Sequence, residues 1–517
     1  MKKSNTSLLQ SDGLQTLISS LLCSLGGLIV GYLVLLLIEP KGALDAIAAV
    51  MKSFFRFTGR SRMKYFGQNL VRTVPLILCS LSVLFAYKVG MFNIGVAGQY
   101  VAGACGSLYA ALAWKLPWLP CLLIGMLLAG LLGGIAGWLK TQCNVNIVIS
   151  GIMLNWIMLY LTNLILGYLV LLVIEPSGAM GAIIAVMKSF FRYPGKMMLK
   201  YFGQTLVRTV PLLMCSLSVL FAYKVGMFNI GVAGQYVAGA CGCLYAALAW
   251  NLPWLPCLLI GMILAGLLGG IAGWLKTQCN VNIVISGIML NWIMLYLTNL
   301  ILGKVKSPNS PYTLSLQGNN TSALIPGFGL EKMFGGEKSV TIAIPLAIII
   351  AIAIWVILNK TKFGYELKAT GNNYHAAKYA GMKENRNIIM TMVISGALAG
   401  LGAGLLFLTG IEDWETTIAS VPAMGFNGIA VAFLGGLSPL GSILSAFFIQ
   451  YITVGGGNVD LSVYCSQISS LISSLIIYLC AFVVFFKFFI QNCIRKSEEK
   501  KAAAAKAAAN KEGGEDK

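Results

Sequence analysis

Apolar runs of eighteen or more residues recur along this chain from end to end, separated by short polar or glycine-rich breaks. That pattern predicts membrane-spanning helices. The first run is Leu14 to Ile38. Four follow at about 73–88, 93–114, 117–139 and 145–167, and four more at 209–224, 229–250, 253–275 and 281–303. Beyond a polar stretch come runs at about 340–358, 388–409, 421–436, 438–456 and 463–489, bringing the expected total to about fourteen spans.

The two groups of four are one sequence written twice. A unit of about 136 residues runs from Tyr32 to Gly167 and again from Tyr168 to Gly303, with roughly seven positions in eight unchanged. Cys79 to Cys105 returns as Cys215 to Cys241, and Leu128 to Gly167 as Leu264 to Gly303, without a substitution. Repeats that share only a fold diverge at their surfaces, so this identity marks a recent tandem duplication. Four crossings per copy leave everything downstream on its original side. The junction is the awkward point. Residues 146–174 are nearly continuously apolar. As a straight helix they would run about 43 Å against a hydrocarbon core of about 30 Å, which predicts strong tilt or a break near Gly167.

The chain therefore divides into a leader with the start of the first span (1–31), copy 1 (32–167), copy 2 (168–303), a loop rich in Pro, Gly, Asn and Ser (304–339), a C-terminal half (340–494) and a solvated tail (495–517). After the first span, Val50 to Arg56 is basic and aromatic, and reads as an interfacial helix rather than a crossing.

Composition narrows the class to an all-α polytopic membrane protein. Apolar residues make up 58% and charged residues 10%, which excludes a soluble fold. The net charge of +20 comes from lysines and arginines scattered between spans, without a basic domain. It therefore points to anionic membrane lipid and not to nucleic acid. The strongest basic loop, 360–386, is taken as cytoplasmic by the positive-inside rule. Counting from it places both termini inside and 304–338 outside, and leaves the basic 41–72 segment outside against the same rule. Thirteen cysteines lie almost all in apolar segments and His375 is the single histidine, so no metal site is expected. A Gly-x-x-x-x-Gly-Lys-Ser/Thr loop is missing, so no catalytic residue and no cofactor of the chain's own are expected. Gly400-x-Gly-x-Gly404 lies inside a span with no strand before it, and is no dinucleotide site.

Two glycine-broken stretches hold the candidate path chemistry. Gly90 to Tyr100, repeated as Gly226 to Tyr236, places Asn93 and Gln99, and again Asn229 and Gln235, among apolar residues. Broken helices with amide side chains surround polar substrate paths in membrane proteins. The competing reading is helix packing with interhelical hydrogen bonds of about 1 kcal/mol or less, and residue chemistry leaves the two level. Gly133-x-x-x-Gly137 and Gly269-x-x-x-Gly273 read as packing motifs. A second break, Ala423 to Gly435, echoes the first in Phe426-Asn427 followed by small residues. The topology starts the two breaks at opposite faces, which predicts an inverted repeat with a site between its halves.

The charged loop reads Lys362-Phe-Gly-Tyr-Glu-Leu-Lys-Ala-Thr-Gly-Asn-Asn-Tyr-His-Ala-Ala-Lys-Tyr-Ala-Gly381 and resembles the cytoplasmic coupling helix of ABC-importer permeases. Asn93-Ile-Gly-x-x-Gly-Gln99, Leu139-Lys140 followed by Asn146 to Asn155, and Gly425-Phe-Asn-Gly-Ile-Ala-Val-Ala432 are similar to the simple-sugar and nucleoside branch of the branched-chain-type permeases. The resemblance implies a non-enzymatic pore subunit in a bacterial plasma membrane. Its implied partners are two cytoplasmic ATPases that bind the ATP, a second permease (a like or unlike chain) and an external binding lipoprotein. It also implies that Glu366, Ala369, Gly371, Ala376, Ala377 and Gly381 meet the ATPase. Asn93, Gln99, Asn155, Asn229, Gln235, Asn291, Phe426 and Asn427 would then line the path. Nucleosides are the first substrate class implied, then simple sugars and branched-chain amino acids. An ATP-independent secondary carrier and a non-transporting scaffold remain the alternatives. Family members carry the four-span block once, so either copy could build the pore.

Overall fold

This computed structural model describes residues 12–38, 59–143 and 195–456, together with parts of 40–48 and 147–158. The interfacial helix expected at 50–56, the break expected near Gly167, the span at 463–489 and the tail lie outside the described residues. Helix α1 (Asp12–Ile38) and α2 (Gly59–Lys88) come first, and the chain up to Leu84 forms a unit of its own. The second unit starts at Phe85 and contains the rest of copy 1, namely α3 (Val96–Leu112), α4 (Trp118–Cys143) and the helical stretch 147–158. It continues through copy 2 as α5 (Lys196–Lys224), α6 (Val232–Leu248), α7 (Trp254–Gln278) and α8 (Ile283–Leu302). The C-terminal half follows as α9 (Ala343–Lys360), α10 (Lys362–Asn372), α11 (Tyr374–Tyr379), α12 (Glu384–Phe407), α13 (Ala423–Leu434) and α14 (Pro439–Gly456).

Eight of the described helices are long and apolar enough to cross a membrane, so the chain is an all-α, multi-pass membrane protein. The helix of the second span starts earlier than the expected residue 73, within the basic sequence. From Gly59 that sequence is already the first part of α2, and its twin from Lys196 is the first part of α5. No breaker intervenes before Gly90 and Gly226, because Pro75 and Pro211 are carried inside the helices. In the runs at 229–250 and 421–436 the helices are shorter than the runs themselves. Helix α6 has 17 residues, about 26 Å, and α13 has 12, about 18 Å, both short of a core of about 30 Å.

The core belongs to copy 2 and the C-terminal half. Helix α12 packs against α5, α6 and α7, while α13 lies on α5 and α6. Glycines set these approaches: the backbone of Gly239 meets Gly400, Gly396 meets Ala265, and Gly269 meets Met392, each leaving no room for a Cβ. Gly402 lies against Pro211 and Met214, and Gly404 against Leu258 and Cys243, so the Gly400–Gly404 run is helix packing.

Copy 1 has the same residues without these neighbours. Phe221 is fully buried but its twin Phe85 is 78% exposed; Tyr236 is 3% exposed and Tyr100 51%; Leu258 is 4% exposed and Leu122 50%. Gly273 meets Ile389 and Met392 of α12, whereas Gly130, Gly134 and Gly137 have nothing within 4 Å among the described residues. Local sequence is shared, so the difference is tertiary: the C-terminal half has engaged copy 2, which directly precedes it. Near the start of α5, Lys200 pairs with Glu337 at 3.5 Å and Arg208 with Glu412 at 3.4 Å. The basic end of copy 2 thus lies on the same side as the 303–342 and 408–422 loops, which are themselves joined by Thr313 N–H to Trp414 C=O at 2.9 Å.

Candidate functional site

Helix α6 begins immediately after the turn at Gly226, and α13 begins after the 408–422 loop. Their N-terminal turns meet, since Gly425 lies on the backbone of Ala233 with no space for a side chain. Two short helices that start from opposite ends and touch near their N-termini form the broken-helix pair expected of an inverted repeat. Both positive dipole ends point toward the same region.

A cavity of about 480 Å³ opens beside this junction, within the about 300–1,000 Å³ typical of small-molecule sites. Ile230, Ile288, Asn291 and Trp292 line it from copy 2, and Ser420, Val421 and Phe426 from the α13 region. Ile94, Ala97, Val101, Ile152 and Asn155 complete it from copy 1. Of the eight candidate path residues, Asn155, Asn291 and Phe426 therefore meet around one space, and Asn427 is half-buried beside Phe426.

The two lining amides are held by backbone. Asn291 Oδ1 accepts from Gly234 N–H at 2.7 Å, and its Nδ2 donates to Ile230 C=O at 3.1 Å. The first amides of a helix have no intrahelical partner, so Asn291 caps α6 from a neighbouring helix. Asn155 repeats this in copy 1, accepting from Gly98 N–H at 2.6 Å and donating to Ile94 C=O at 2.8 Å. Asn229 and Gln235 are not on the cavity. They are buried and bonded to each other, with Asn229 Nδ2 donating to Gln235 Oε1 and to Ser395 Oγ, each at 2.7 Å. Ser395 Oγ–H donates in turn to Ser218 C=O at 2.8 Å, tying the break to α12 and α5. For this pair the geometry favours packing over path. In copy 1 Asn93 donates to Gln99 at 3.0 Å, and Gln99 donates back at 3.2 Å. Trp292 carries no motif signal. Its lining position follows from sitting next to Asn291 on α8.

The charged loop folds as α10 and α11. Thr361 caps α10 by accepting from Gly364 N–H at 3.0 Å, and Asn373 caps α11 by accepting from Ala376 N–H at 3.0 Å. Gly371 packs against the backbone of Val225 and Gly226 at the end of α5, where Gly226 has φ +76° and equally no room for a Cβ. Asn387 Nδ2 donates to Thr370 Oγ1 at 2.9 Å, fixing α10 to α12. Of the six candidate docking residues, Ala376 and Gly381 are exposed, Glu366, Ala369 and Gly371 half-buried, and Ala377 buried. Tyr379 is 94% exposed, a position the motif did not single out. Tyr374, whose hydroxyl donates to Asn385 at 3.0 Å, has its phenol raised by burial and by Glu384.

Paired short helices beside a central cavity, with a helical knob packed on the end of a spanning helix, define the class as a membrane transport permease. The family described as "Branched-chain amino acid transport system / permease component" matches residues 65–185 and 201–483, and the chain belongs to this family of ABC-importer permeases. The match falls in two segments, the first running from copy 1 into the start of copy 2 and the second through the rest of copy 2 and the C-terminal half. Among curated proteins the chain is 35% identical to the guanosine ABC transporter permease protein NupP of Bacillus subtilis, over 54% of this chain and 81% of the relative. It is 32% identical to the nucleoside ABC transporter permease protein NupB of Lactococcus lactis subsp. cremoris, over 59% of this chain and 84% of the relative. It is 31% identical to the glucose ABC transporter permease protein TsgB13 of Haloferax volcanii, over 50% and 71%. No solved structure matches the chain.

Proposed function

We propose that this chain carries nucleosides inward across a bacterial plasma membrane, driven by a separate ATPase that docks at α10 and α11 and supplied by an external binding protein. The likeness to guanosine and nucleoside permeases over four fifths of their length carries the substrate class. The cavity chemistry agrees with it. Trp292 and Phe426 offer aromatic surface for a flat base, while Asn155 and Ser420 offer polar atoms to its edge or ribose. ATP binding would close the partner ATPases, and the knob would pass that movement through Gly371 to the end of α5 and through Thr370 to α12. Both termini face the cytoplasm in this reading, and the loop 303–342 faces outward.

Uptake of radiolabelled guanosine, uridine and glucose by cells with and without the gene tests the proposal. Loss of the two nucleosides with glucose unchanged is the expected result. Nucleoside uptake that is indifferent to the gene overturns it.

A further inference from the structure

The cavity is lined by the same residue positions twice. Ile94 and Ile230, Ile152 and Ile288, and Asn155 and Asn291 are pairs related by the duplication, and all six face one space. Duplicated faces that meet in this way are what a two-fold interface between identical subunits produces, here between two parts of one polypeptide. The pairing fails where α13 packs on copy 2. In copy 2, Ala233 is covered by Gly425 of α13, whereas its twin Ala97 has no such cover and lines the cavity with Val101. Copy 1 thus supplies the space as well as half of the wall.

Resting on the nucleoside reading above, we propose that copy 1 is half of the ligand site: one nucleoside sits between the copies, contacted by Asn155 from copy 1 and Trp292 from copy 2. Asn155 and Asn291 each use one lone pair and one N–H on backbone. A primary amide has two of each, so half-buried Asn155 keeps one acceptor and one donor for a ligand, while Asn291, 1% exposed, holds the start of α6 behind the wall. Trp292 and Phe426 cover the faces of the base, and the isoleucine pairs exclude water.

The test uses the full chain in its own cell. Ala97→Trp fills the cavity from copy 1 without touching a hydrogen bond, and Ile288→Trp fills it from copy 2. Both should cut guanosine uptake about tenfold or more, the scale on which a misfit in a pocket is felt, at unchanged amounts of chain in the membrane. Photolabelling native membranes with 8-azidoguanosine gives an independent readout, because Lys115 of copy 1 is Asn251 in copy 2. Trypsin therefore releases 89–115 from copy 1 as a peptide distinct from 225–276. Label on 89–115 as well as on copy 2 peptides is expected. Full uptake by Ala97→Trp with label confined to copy 2 overturns the inference and leaves nucleoside import standing. If the chain imports a different solute, the nucleoside assignment falls alone, and the two variants still decide copy 1's share with that solute.

Discussion

Asn291 shows how one side chain can hold the start of a neighbouring helix. Its amide closes the open start of α6 while its flank faces the cavity. Replacing it by alanine leaves Gly234 N–H and Ile230 C=O buried without their partner, and should cost about 1–3 kcal/mol, read as a lower thermal midpoint of the purified chain. Glu337 offers a second test at this scale. Burial raises its carboxyl, but hydrogen bonds from Ser339 and Gln204, with Lys200 alongside, outweigh that and hold it below the ordinary 4.5. A depressed carboxyl stabilises the fold above its unfolded value, and that contribution is lost as pH falls through the folded value. The melting midpoints of wild type and Glu337→Gln should therefore be furthest apart above pH 4.5 and converge below it.

At the scale of elements, the knob is attached by contacts that can be broken singly. Gly371→Val would push α10 off the end of α5, where no Cβ fits. Tyr379→Ala would leave the knob in place and remove a side chain that is 94% exposed. Both should abolish most uptake at normal membrane levels, but only Tyr379→Ala should leave the melting midpoint unchanged. Uptake at wild-type rates in both variants would remove α10 and α11 from the coupling route. Much of this arrangement was legible in the residues. The spans followed from apolar runs, and the α6 and α13 breaks from their glycines; the caps Thr361 and Asn373 that divide the charged loop into α10 and α11 were not singled out. Two further things were not legible. Asn229 and Gln235 have the composition of path residues, and only the position of Ser395, 166 residues away in sequence from Asn229, turns them into packing. The sequences of Phe85 and Phe221 surroundings are alike, so nothing local could tell which copy would be covered.

For the whole molecule, the duplication makes a controlled experiment possible. Removing 32–167 or 168–303 yields chains that differ only at the few positions where the copies differ, and each places one block directly before the C-terminal half. Both shortened chains should insert and reach similar melting midpoints, since the unchanged glycines that seat α12 are present in either block. Both should also regain guanosine uptake only as far as two molecules associate, measured by uptake alongside size-exclusion light scattering. A shortened chain that imports fully as a monomer would mean that the second block adds nothing to transport.

In an assembly of two identical polypeptides every genetic edit appears twice, and the roles of the two halves cannot be told apart. Here the two copies' shares of the cavity wall are separately encoded. An investigator, or natural selection, can therefore alter one side of the passage while the other keeps its original wording.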